Sequence, residues 1–278
     1  MNSNGISSQD PPNLSTLEYS RWVDVLRSWF WRFYDNLFHV VIYNLGWFLT
    51  CFGTGWVCWH TGLFGDEKNI NVLGFYALYL LESIVSIGWA YLVFRVFIEG
   101  EGFFLDIWKG FINFYLKALG ISALSGFVLG LALYNIRFYF LFQSSHRLFD
   151  FILVGFIFWF LLFWISAMLY QWPILFFQNP PFFKVFYRSF LLVLGNGLVS
   201  LGILVFFACW ALLFWIAPFL IFFIGMVLFF SFQCVVLEKQ YLRYKITYGD
   251  KPLRPFLELL DYERKRGWRE FLKPWENR

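Results

Sequence analysis

Charge is scarce in this chain. Asp, Glu, Lys and Arg make up 14% of it, against roughly 25% in an ordinary soluble domain. Residues 189–237 contain none of these and no His. A run of that length is about twice the ~20 residues with which one helix crosses a bilayer. The deficit excludes a soluble globular fold. The net charge of +4 provides no basic footprint for nucleic acid.

Histidine and cysteine are equally thin. His39, His60 and His146 are far apart, and no HExxH or similar spacing occurs, so no metal centre is expected. Cys51, Cys58, Cys209 and Cys234 lie in apolar stretches without CxxC or CxxH spacing. They read as small buried hydrophobes, not as zinc ligands or a disulfide framework. GxSxG, P-loop and Rossmann glycine patterns are missing too, which leaves no catalytic constellation and implies no cofactor. The chain reads as non-enzymatic. A cleaved signal peptide is not expected either, because no basic segment precedes a short apolar core and a small-residue cleavage site.

What the sequence does hold is apolar mass: 60% of residues are hydrophobic and 40 are Phe. Lipid accepts such rings without limit, and backbone groups in lipid must bond within their own segment. Uncharged windows predict six spans, near 37–59, 72–96, 114–136, 149–172, 189–216 and 218–237. Pro218 divides the long uncharged run, since proline removes a backbone donor and pushes its predecessor out of helical geometry. Pro173, Pro180 and Pro181 are expected to mark the loop after the fourth span. The fold class is an all-α membrane protein with six transmembrane helices and an amphipathic interfacial helix at each terminus.

Three segments follow: a start at 1–36, a membrane domain at 37–238 and a basic tail at 239–278. In the first, Ser15 and Glu18 form a capping box. Tyr19, Trp22, Val23, Leu26, Phe30, Phe33 and Leu37 then recur at helical steps, a stripe suited to the headgroup layer. In the tail, Leu257, Leu260, Trp268, Phe271, Leu272 and Trp275 sit among basic residues and suggest a second interfacial helix. Nineteen of the 22 Lys and Arg fall on one side of the six-span topology. Cationic loops stay in the cytoplasm, so both termini are expected there.

Helices in lipid associate through small residues and close packing. Ala118, Ser122, Gly126 and Gly130 recur every four residues in the third span, and Gly46, Thr50, Thr54 and Cys58 in the first. Gly195, Gly197, Ser200 and Gly202 surround Asn196 in the fifth. These faces are expected to meet other spans of the same chain or a second copy in a homo-oligomer. Glu82 is the one acidic residue deep within a predicted span. A carboxylate there costs at least ~2.5–3.5 kcal/mol on insertion scales and must face the bundle or water. Ser86 shares its helix face, and Asn44 and Asn196 are candidate partners from other spans. Glu82 is either an ion-coupling or substrate-binding carboxylate or a hydrogen-bonded structural glutamate.

Two stretches carry a family resemblance. The first is Gly100-Glu101-Gly102-Phe103-Phe104 through Trp108-Lys109-Gly110-Phe111-Ile112-Asn113-Phe114 and Lys117. The second is Tyr170-Gln171-Trp172-Pro173 with Phe177, Lys184, Ser189 and Asn196. Together they resemble the YesL-like family, bacterial integral membrane proteins of unknown function, and residues 36–53 resemble the family's first span more loosely. The chain departs from the family in three places. Phe48 or Leu49 stands where a proline precedes a Thr-x-Gly step, the span at 72–96 is additional, and the basic tail is longer. Glu82 falls in the additional span, so no family role transfers to it. The resemblance implies a bacterial inner membrane, the lipid bilayer as partner, and an accessory role near carbohydrate uptake, in contact with a sugar permease complex. A small secondary transporter or channel using Glu82 is the other expectation.

Overall fold

A computed structural model of the chain describes residues 22–61, 72–141 and 147–243. These form helices α1 (Trp22–Asp35), α2 (Leu37–His60), α3 (Val72–Phe94), α4 (Leu105–Leu141), α5 (Arg147–Gln178), α6 (Phe182–Gly195), α7 (Gly197–Ile216) and α8 (Phe219–Arg243). A π-helical turn, Arg95–Glu99, extends α3. No strand occurs among the described residues. Six helices are long and apolar enough to cross a membrane: α2, α3 with its π turn, α4, α5, α7 and α8. The chain is a multi-pass, all-α membrane protein. The Ser15 capping box, the tail beyond Arg243 and its expected interfacial helix lie outside the described residues.

Several boundaries differ from the sequence expectation, each for a local reason. The fifth span does not start at Ser189. Asn196, with φ −136° and ψ 47°, interrupts the helix, and residues before it belong to α6. α6 buries Val185, Phe186, Ser189, Leu192 and Val193 along one stripe, while Phe183, Tyr187 and Leu194 remain exposed. Pro173 lies inside α5, which continues to Gln178. Proline inside a membrane helix is tolerated where neighbours accommodate the freed backbone group, and Pro173 is itself buried.

α3 and α4 form the closest pair, joined through Gly100, whose φ of +76° is a conformation that glycine adopts without Cβ strain. Asp106 fixes the start of α4. Its carboxylate accepts from the Phe103 N–H at 3.0 Å and from Lys109 at 2.8 Å, as the carboxylate of a capping box does. Farther along the pair, Gly88 admits the backbone of α4: a Cβ there would stand 2.7 Å from the Ile107 carbonyl oxygen.

The expected small-residue faces are only partly used. Gly46 lies against the Trp89 ring, and Thr50 accepts a hydrogen bond from Trp89 Nε1 at 3.1 Å. Ala118 and Ser122 are buried, and Gly126 meets Tyr79 and Tyr76. The α4 face stops there, because Gly130 is exposed with nothing within 4 Å of the Cβ it lacks. Gly195 is exposed at the end of α6 and Gly202 is half-buried on α7. Neither belongs to a run of small residues along one continuous fifth span.

α1 is docked on the bundle by a face that overlaps the stripe in its sequence only in part, with Phe30 and Phe33 half-buried against the core. Val25, Ser28, Trp29, Trp31 and Arg32 are buried, whereas Leu26 is exposed. Arg32 pairs with Glu238 of α8 at 2.7 Å and donates to the Phe97 carbonyl at 3.1 Å. Trp29 Nε1 donates to Ser231 at 3.0 Å. The polar partners on α8 determine which face of α1 turns inward.

Candidate functional site

Glu82 sits ten residues into α3, about 15 Å along it at 1.5 Å per residue, and so near mid-depth. It lines an open-mouthed cavity of about 520 Å³ walled by residues of α2, α3, α4, α5, α7 and α8. The walls are mainly aromatic and aliphatic: Trp47, Tyr79, Trp172, Phe214, Phe229 and Phe230 contribute rings. The polar lining is compact. α3 provides Glu82, Ser83 and Ser86, α4 provides Ser122 and Ser125, α5 provides Gln171 and α8 provides Gln233.

Most of these polar groups are already engaged. Ser86 accepts from Trp47 Nε1 at 2.8 Å, and Ser83 donates to the Leu80 carbonyl at 2.7 Å. Ser125 donates to Gln171 Oε1 at 3.2 Å, and the Tyr79 hydroxyl pairs with Ser122. The Cys51 thiol lies between Glu82 and Ser86. Two buried atoms are left over: Glu82 Oε2 and Gln171 Nε2 have no hydrogen-bond partner. One is a carboxylate oxygen and the other an amide donor. Buried polar groups in folded proteins are paired in the great majority of cases, so this coincidence in one cavity is informative.

The structure separates the expected site residues. Glu82 and Ser86 meet in the cavity. Asn44 does not reach Glu82: its amide nitrogen donates to the Ile221 and Phe222 carbonyls at 2.6 and 2.8 Å, and its oxygen accepts from the Val227 N–H at 3.2 Å. It ties α2 to the backbone of α8. Asn196 also lies elsewhere, at the α6–α7 junction, where its side chain contacts the Leu192 carbonyl at 3.3 Å. Ser122, expected only to pack, lines the cavity. Gln171 and Gln233 entered no functional expectation, although each is an amide inside an apolar stretch, the signal that had singled out Glu82.

No group of three or more His, Cys, Asp or Glu suited to a metal ion occurs among the described residues. No protein-family model, curated protein or solved structure matches the chain. The site is therefore read from its own chemistry.

Proposed function

We propose that this chain is a membrane-embedded binding protein of the secondary-transporter class, taking a small organic solute into the cavity around Glu82. One observation carries the reading: two residues that line one cavity at mid-depth of the bundle, Glu82 and Gln171, each hold a buried polar atom that has no partner among the described residues. An unmade buried hydrogen bond costs about 1–3 kcal/mol, and Glu82, unlike the ion-paired Glu238, has no cation among the described residues to offset that cost. The cavity volume also falls within the ~300–1,000 Å³ typical of small-molecule sites.

Nineteen of 22 Lys and Arg fall on one side of the topology. That supports an orientation with both termini in the cytoplasm, while placement in a bacterial inner membrane rests on the YesL-like resemblance. The alternative is the non-enzymatic accessory role beside a sugar permease complex, which rests on the YesL-like resemblance alone. Full-length protein in proteoliposomes, adsorbed on a solid-supported membrane and challenged with cationic, anionic and neutral solutes including sugars, separates the two. The expected result is a charge displacement for one solute class that Glu82→Gln removes while the protein elutes and melts as wild type. Silence across the panel, with a permease co-purifying, would favour the accessory role.

A further inference from the structure

We infer that the cavity takes a lipophilic organic cation, one positive charge set against Glu82 on an apolar body. This inference rests on the binding role proposed above and names the ligand class. Among the described residues Glu82 is the only charged one in the lining, and no Lys, Arg or His among them faces it there. An anionic ligand would bring a second negative charge into a space without a compensating cation. A sugar fails for a different reason. The serine hydroxyls each hold one partner already, so their remaining capacity, with Glu82 and the Gln171 and Gln233 amides, would have to serve every hydroxyl of the ring against a mainly aromatic wall. Each hydroxyl left unpaired costs roughly 1–3 kcal/mol. A bare divalent ion needs several oxygen ligands, whereas a single carboxylate lines this wall.

An organic cation meets each of these conditions. Its charge balances the carboxylate, and its apolar surface covers the aromatic wall. The faces of Trp47, Tyr79 and Trp172 add cation–π attraction, strongest for tryptophan. A desolvated ion pair formed away from water is stronger than the same pair at a surface, so most of the selectivity should lie in the charge.

Two probes of one shape and opposite charge test this: tetraphenylphosphonium and tetraphenylborate, each measured by equilibrium binding to the purified full-length chain in detergent. The phosphonium should bind saturably and roughly tenfold or more weakly to Glu82→Gln, a change equivalent to about 1.4 kcal/mol. The borate should show no saturable binding. Equal phosphonium affinity in Glu82→Gln, or borate binding as tight as phosphonium, would overturn the assignment. Gly225→Phe provides a second variant. Gly225 lines the cavity, and a Cβ there meets only the Ile221 side chain at 3.5 Å or beyond. The added ring should fill the space and remove phosphonium binding, and undiminished binding would place the ligand elsewhere. If the phosphonium fails while a neutral or anionic solute gives a Glu82-dependent signal in proteoliposomes, the ligand class is wrong and the binding role stands. If both experiments are silent, the binding role itself falls.

Discussion

α7 and most of α8 lie in one uncharged run, residues 189–237, and the two helices are almost equally apolar, yet the bundle treats them differently. Of the most apolar stretch of α8, 56% is buried inside the protein, against 17% for α7. Hydropathy does not separate them; polar atoms do. α8 carries Ser231, Gln233, Glu238 and Gln240, and it receives Trp29, Arg32, Asn44 and Tyr170 from three other helices. α7 has Ser200, which meets Tyr170 at 3.2 Å, and otherwise a shell of large apolar side chains. Lipid tails are as apolar as leucine, so apolar surface alone gives a helix no reason to leave them. Hydrogen bonds and close packing decide which helix becomes central.

The hardest test of that contrast is the Arg32–Glu238 pair, whose side chains are 7% and 3% exposed. Arg32→Ala leaves a buried carboxylate without its cation, which should cost about 3–5 kcal/mol. Thermal unfolding in detergent should show a large fall in Tm, and Arg32→Met with Glu238→Met should recover much of it, because an apolar pair leaves no orphaned charge. An unchanged Tm for Arg32→Ala would mean that the ion pair does not organise the end of α8.

Asn44 offers a middle-sized break. Its side chain holds three backbone groups of α8, and Asn44→Ala removes all three while the helix keeps its own ladder. Side-chain hydrogen bonds between membrane helices average ~0.6 kcal/mol and reach ~1.7. A loss of about 1–2 kcal/mol is therefore expected in the same melt, without loss of the helical signal. A cost below ~0.3 kcal/mol, well under a typical hydrogen bond, would show that α8 is held by packing alone.

The comparison also explains what could be read from the chain before its structure. Spans were legible because a bilayer imposes length and an absence of charge, and both appear directly in residues 37–59 or 218–237. The break at Asn196 was not placed, because Leu192, Val193 and Leu194 before it and Leu198 and Val199 after it are equally apolar. Nothing in hydropathy marks a change of direction. The stripe on α1 was right only in part for a related reason, since Phe30 and Phe33 pack on the core while Leu26 is exposed. Periodicity identified its most apolar face, whereas docking was decided by Arg32 and by Glu238, which lies 206 residues away. Glu82 stood out as a charge in a span. Gln171 and Gln233 carried a fainter version of the same signal, and only the meeting of five further helices around α3 made them one lining.

The smallest effect is expected on the outer face of α7. Trp215 is 87% exposed and Leu198 82%, in a helix whose neighbours touch it mainly along the opposite side. In a soluble protein such residues would invite aggregation. Here both the assembled and the separated helix offer them to lipid or detergent, so exchanging one apolar side chain for another changes little. Trp215→Leu and Leu198→Ala should each shift stability by less than ~0.5 kcal/mol, the range of surface positions. A larger loss, above ~1 kcal/mol, would mean that something protein-like covers this face. The first occupant to test is a second copy of the chain, because an interface between copies would convert lipid-facing rings into buried ones. Native electrophoresis of the same variants would then show wild-type dimers reverting to monomers. If the species stay identical and the melts unchanged, α7 is a helix whose partner is the bilayer, and α8 is central because of the polar atoms it carries.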